Sequence, residues 1–255
     1  MSTLRAGFVF QVRVLRRSFG DMIALVTAPM MTLVFLAITR NAGRTDLAPY
    51  AVLAPALIVL WAVALLIAGE IVTRERENGS LEALIATPAS FPAVVTGRIA
   101  AVTLLSLAGF AESWLAAWAV FGVVVPVFHP VAFAATLAVT ALAMAGTASM
   151  MSALFVLARS ARAFQNSLNY PFYVLGGVMV PVSFLPGWLE PVSRAVFLSW
   201  SADLLRDALA PPAITYLLPR LAVVFGLGLA GYAAGVWLLR RAVDRLRKTG
   251  SLSYA

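Results

Sequence analysis

Charge is missing from this chain over long distances. Residues 22–39, 47–69, 163–189 and 221–239 contain no Asp, Glu, Lys or Arg, and between Arg98 and Arg159 the only formal charge is Glu112. A helix that crosses a bilayer needs about 20 apolar residues. Inside hydrocarbon a helix satisfies its own backbone N–H and C=O groups, which an irregular segment does not. The runs therefore predict an all-α integral membrane protein. Composition agrees: 62% of residues are hydrophobic and 12% charged, against about 45–50% apolar and about 25% charged in soluble domains.

Six spans are expected, at about 22–39, 47–71, 97–125, 131–157, 164–182 and 219–239, with Pro126 and His129-Pro130 dividing the long region after Arg98. An even number places both termini on one side. With the termini inside, 14 of the 19 Lys and Arg residues fall on the inner side and 5 on the outer. Inner loops are the ones enriched in Lys and Arg, so both termini and the 70–90 connection are assigned to the cytoplasm of a cell-membrane (plasma or inner) protein. The net charge of +8 thereby finds its meaning in membrane topology, and nucleic acid is not expected as a partner.

The whole chain, 1–255, reads as one transmembrane domain. Residues 1–20 carry Leu4, Phe8, Val12, Leu15 and Phe19 at helical spacing, with Arg5, Arg13, Arg16 and Arg17 away from that stripe. This is the pattern of a helix lying in the interface. The long outer connection 182–218 shows helical apolar spacing broken by Pro186, Pro191 and Pro211-Pro212. Two short amphipathic helices re-entering the outer leaflet are expected there. Residues 240–255 form a basic cytoplasmic tail.

Several functions are excluded by what the chain lacks. There are no cysteines, and the single His129 cannot build a site that needs two imidazoles, so no metal site is expected. Neither H-E-x-x-H nor G-x-S-x-G occurs, which argues against an intramembrane enzyme. A secondary transporter often shows repeated halves, and no repeat is visible. Nor is there a G-x-x-x-x-G-K-[ST] phosphate loop, so ATP could be hydrolysed only by a partner.

The charges that do occur are concentrated. GEIVTRERENGSLEALIATPAS, residues 69–90, holds Arg74, Glu75, Arg76, Glu77 and Glu82 within nine positions. Glu70 and Arg74 stand at i, i+4, a favourable helical pair. Asn78-Gly79 is suited to end that helix. Ser80 is placed to cap a short second one, with Glu82 near its N-terminus and Thr87-Pro88 as its stop. Leu81, Leu84 and Ile85 give that second helix an apolar face rimmed by charge. A solvated turn and a plug for a partner's groove both fit these residues.

The segment ERENGSLEALIATP resembles the signature of ABC-2-type exporter permeases, the membrane subunits that work with ATP-binding-cassette ATPases. The resemblance lies in Glu75-Arg76-Glu77, Gly79-Ser80-Leu81-Glu82 and Thr87-Pro88, placed after the second span. A second block is similar to the same family: Asn169, Pro171, Gly176-Gly177, Pro181, Leu185-Pro186 and Trp188-Leu189, then Leu205-Arg206. The resemblance implies a six-span permease with an N-terminal interfacial helix, a cytoplasmic coupling helix and re-entrant outer helices. It also implies export of a substrate by an assembly of two ATPase subunits and a second permease, identical or different. ATP and Mg would sit on the ATPase, and this chain would bind no cofactor and catalyse no reaction. Residues Glu75, Arg76, Glu77, Gly79, Leu81, Glu82, Leu84, Thr87 and Pro88 would couple to the ATPase.

Candidates for a translocation path lie in the spans. The fifth carries Asn169, Phe172 and Tyr173 before Gly176 and Gly177, and the family's fifth span lines a cavity. Close helix packing is the other meaning of the glycine pair. Glu112 sits mid-span, where a carboxylate costs about 2.5–3.5 kcal/mol. It is either a substrate- or proton-handling group or a neutral structural residue reaching Ser106 or Ser113. An apolar, aromatic-dotted path and a bare outer side favour a hydrophobic or amphipathic substrate, drug-like or lipid.

Overall fold

The computed structural model describes residues 2–17, 19–68, 70–80, 90–157 and 161–249. Among them regular structure is helical throughout. Helix α1, Thr3–Arg17, buries Gly7, Gln11 and Leu15, every fourth residue, in its contact with α5, Phe91–Ser106. The backbones touch there: a Cβ on Gly7 would stand 2.3 Å from the Val94 carbonyl oxygen, and one on Gly97 2.1 Å from that of Leu4. The buried ridge is thus set beside the apolar stripe read from the sequence, because small residues permit a closer approach than large apolar ones. Leu4 and Phe10 stay exposed.

Helix α2, Phe19–Asn41, contains the first expected span. It turns Ala28, Thr32 and Leu36 inward and leaves Val26, Met30, Val34 and Ile38 exposed as one ridge. After a 3₁₀ turn at Thr45–Leu47 comes α3, Ala48–Val63, which continues through a widened π-helical turn, Ala64–Ala68. Nearly every residue of α3 is buried, including Leu53, Leu57, Leu60 and Trp61. A helix apolar all round belongs at the centre of a bundle, and α3 packs against both α2 and α6, Ala108–Phe121.

Helix α4, Ile71–Glu77, completes this first half. Helices α5 and α6 form a nearly continuous rod, interrupted at Leu107. Then α7, Pro130–Leu157, packs along α11, Leu217–Thr249, in the most extensive contact among the described residues. Gly146 and Gly228 set that contact, since a Cβ on the first would fall 2.1 Å from the Gly228 carbonyl oxygen. Small residues pack membrane helices by dispersion, where lipid removes the hydrophobic drive to associate.

Among the described residues, four helical stretches are long and apolar enough to cross a membrane: Thr45–Glu75, Phe91–Phe121, Pro130–Phe155 and Leu217–Arg241. They coincide with the second, third, fourth and sixth expected spans. The fifth differs. The described part of helix α8, Ala161–Leu175, stops at Leu175, short of the expected end at 182. Gly177, at φ +62°, turns the chain away where apolar sequence continues.

Two short helices follow, α9 at Glu190–Arg194 and α10 at Phe197–Ala208. The second lays Phe197, Leu198, Leu204 and Leu205 into the core against α7 and α11. Arg206 fastens it to the end of α8, donating to the carbonyls of Gly177 and, at 3.0 Å, Val178. Burial lowers the Arg206 guanidinium from its ordinary value, against the raising effect of Asp203, Tyr50 and Asp207; an arginine so placed stays charged near neutrality.

Candidate functional site

Two places combine polar chemistry with the sequence-predicted residues. The first lies where α4 leaves the apolar run. Glu70 pairs with Arg74 at 3.3 Å, the expected i, i+4 contact. Helix α4 ends at Glu77, and Gly79 takes the left-handed conformation, φ +68°. The Ser80 N–H then reaches the Glu75 carbonyl at 3.0 Å. A bond from the second residue past the cap to the third residue before it is the Schellman closure, which favours glycine at this site.

Glu75 is held by more than its helix. Its carboxylate accepts Arg98 Nη1 of α5 at 2.5 Å, and the Ser80 hydroxyl also donates to it. Arg98 Nε donates in turn to Gln11 Oε1 of α1 at 2.9 Å, and its guanidinium lies 5.0 Å from the centre of the Phe10 ring. Gln11 is 2% exposed and Arg98 6%, so the contacts are largely sheltered from water. One arginine therefore ties three elements, α1, α4 and α5, at the point where the charged segment begins. A mostly buried ion pair is costly to break, since the remaining charge is left without a partner.

Glu77 and Gly79 are exposed beyond this joint, and the backbone of Arg76 continues α4. Leu81, Glu82, Leu84, Thr87 and Pro88 lie outside the described residues. Ser80 turns back onto Glu75.

The second place is a cavity of about 650 Å³ between α2, α3 and α8. Thr27 and Met31 come from α2, Ile58 and Ala62 from α3, and Asn169, Tyr170 and Tyr173 from α8. The two tyrosine rings meet edge to face, 6.3 Å apart. Among the described residues Asn169 Oδ1 is buried without a hydrogen-bond partner, a polar atom available to something in the cavity. Phe172 is placed otherwise: it stacks on Trp61 at 4.4 Å and 17°, behind the wall. Gly176 packs against Leu198 of α10, and Gly177 makes the turn that ends α8. Glu112 is not among the cavity's lining residues. Among the described residues its Oε2 is buried with no partner, as is Ser113 Oγ, while Ser106 donates to the Thr103 carbonyl.

The sequence model of the family described as ABC-2 type transporter matches residues 8–210. The chain belongs to the ABC-2 type transporter family. No curated protein matches it. The family match covers both places just described and ends before α11. An ABC-2 chain is the permease component of an ABC transporter, a multi-pass membrane protein and not itself a catalyst.

In this ABC-2 permease, sequence reasoning missed Arg98 and Gln11. A signal was present. Arg98 is the only Lys or Arg between Arg76 and Arg159 and stands at the start of an expected span, where a cation needs an anion. Gln11 was masked by its apolar neighbours, and its burial follows from the Gly7 and Gly97 contact rather than from any periodicity.

Proposed function

We propose that this chain is the membrane half of an ABC exporter, with the 75–88 segment seated in a groove of a separate ATPase. Two ATPase subunits carry ATP and Mg, and a second permease, an identical chain or a different one, completes the pathway. Both termini and the coupling segment face the cytoplasm of the cell (plasma or inner) membrane. The joint around Arg98 is the observation that carries this reading. A solvated turn has no need of a sheltered ion pair at its root, whereas a segment that transmits force must be rigidly rooted in the helices it moves. Displacement of 75–88 would pass through Glu75 to Arg98, and so to both α5 and α1.

The cavity between α2, α3 and α8 supports a hydrophobic or amphipathic substrate leaving the cell. Its walls are aliphatic and aromatic, and Asn169 and the tyrosine hydroxyls offer a few points of orientation, the mixture common to small-molecule sites. Tyr173 and Asn169 touch the substrate in this reading, while Phe172 and Trp61 back the wall.

Reconstitution tests the proposal. The purified chain is placed in liposomes alone, with its ATPase, and with its ATPase plus ATP, and movement of an amphipathic dye is followed. Transport is expected only in the third case. A chain that moved the dye alone, driven by an ion gradient, would be a secondary transporter.

A further inference from the structure

The end of the bundle opposite the Arg98 joint holds another cavity, about 580 Å³, which the proposed path does not use. It lies between the last turn of α2, the start of α3 and the extended segment that follows α6. Leu36, Ala48, Phe121 and Val125 are among its walls, and Arg40 and Thr45 are among its polar members. Leu36 and Val125 are themselves buried against the bundle, so these walls are built into the fold. Arg40 closes an apolar run that begins at Met22, which sets it at the depth where hydrocarbon gives way to headgroups.

Arg40 has a cation's place without an anion. Its guanidinium lies 6.0 Å from the centre of the Phe121 ring, and no ion pair forms on it among the described residues. Asp46, also at the cavity, is engaged by Arg44 at 2.9 Å. One cavity thus joins a guanidinium at headgroup level, a hydroxyl and an aliphatic slot. A free phosphate would use the first two and leave the slot wet. A wholly apolar guest would fill the slot and leave Arg40 unmatched.

We propose that this cavity binds a phospholipid, with the phosphate on Arg40 and Thr45 and one acyl chain against Leu36, Ala48, Phe121 and Val125. Arginine suits a phosphate because its fork donates two parallel hydrogen bonds to the oxygens, and the buried chain contributes in proportion to the apolar area removed. The proposal rests on the topology given above only for its leaflet, which is then the outer one.

The full chain in nanodiscs with a trace of photoactivatable phosphatidylglycerol tests this, with cross-linked peptides read by mass spectrometry. Labelling is expected to concentrate in 36–49 and 121–126. Arg40→Gln should lower it there about tenfold, the loss of a charge-assisted contact, and Ala48→Trp should abolish it by filling the slot. Labelling along Val26–Val34 should be unchanged in both variants, which also reports that they are folded. A photoactivatable diacylglycerol with the same chains should label the site weakly and ignore Arg40→Gln. Equal labelling by the two lipids, insensitivity to both substitutions, or cross-links joining two copies of the chain at this face would overturn the proposal. Inverted topology would leave the labelling intact and move it to the other leaflet, so the two readings fail separately.

Discussion

Arg98 is the residue on which most of the proposed mechanism turns. Removing its charge leaves Glu75 sheltered and unpaired, so Arg98→Gln should destabilise the joint by about 3 kcal/mol, the low end for buried pairs. Glu75→Gln should cost less, because an amide can still accept from Arg98. The test that separates coupling from mere stability is exchange: Glu75→Arg with Arg98→Glu restores the pair in reverse. If the joint transmits force, the double variant regains substrate-stimulated ATPase activity that both single variants lose. Recovery of thermal stability without recovery of stimulation would make the pair structural only. None of this was legible from local pattern. Charge spacing revealed Glu70 with Arg74 because they stand four positions apart at the start of α4, whereas the partners of Arg98 come from elements 23 and 87 positions away.

Among the elements, α8 departs furthest from expectation, and its reason is physical. Hydropathy continues through Val178–Val180 and Val182, so counting apolar residues predicts a helix to about 182. A hydropathy count measures transfer free energy and is blind to backbone direction. The left-handed Gly177 turns the chain, and Arg206 then takes the freed carbonyls of Gly177 and Val178. Gly177→Leu should therefore fail for two reasons. A side chain at φ +62° costs about 1–2 kcal/mol, and its Cβ would lie 2.9 Å from Val182 Cγ2. The expected outcome is loss of dye transport with membrane insertion retained, measured in the same liposomes. Full activity would mean that the α8 turn is dispensable. The long apolar helices, by contrast, were readable because a bilayer imposes length and apolarity on each segment separately.

For the whole molecule, what lipid and water each see decides the architecture. Many large apolar side chains face outward, among them Val34, Leu115, Trp118, Leu142 and Phe225, while Thr136, Thr140, Ser149 and Ser152 lie inside. In water such an exterior would be a site of association; in hydrocarbon it is the solvent-matched surface. The proposed orientation rests on the arginines. Reporters fused after Leu15, after Arg162 and at the C-terminus should read cytoplasmic, and one within 40–46 external. An external C-terminus would contradict the assignment.

The central claim is that the charged segment rooted at Glu75 docks on an ATPase, and one co-purification experiment addresses it most directly. Leu84→Asp puts a carboxylate into the apolar face expected from the sequence, and Arg76→Glu reverses a charge expected on its rim. Both variants should reach the membrane in wild-type amount, since neither residue falls in an expected span. Affinity-tagged permease should then retain the ATPase poorly, Leu84→Asp losing more than Arg76→Glu. If both variants retain the ATPase and drive transport as well as the unaltered chain does, the segment is a solvated turn and the coupling assignment is contradicted.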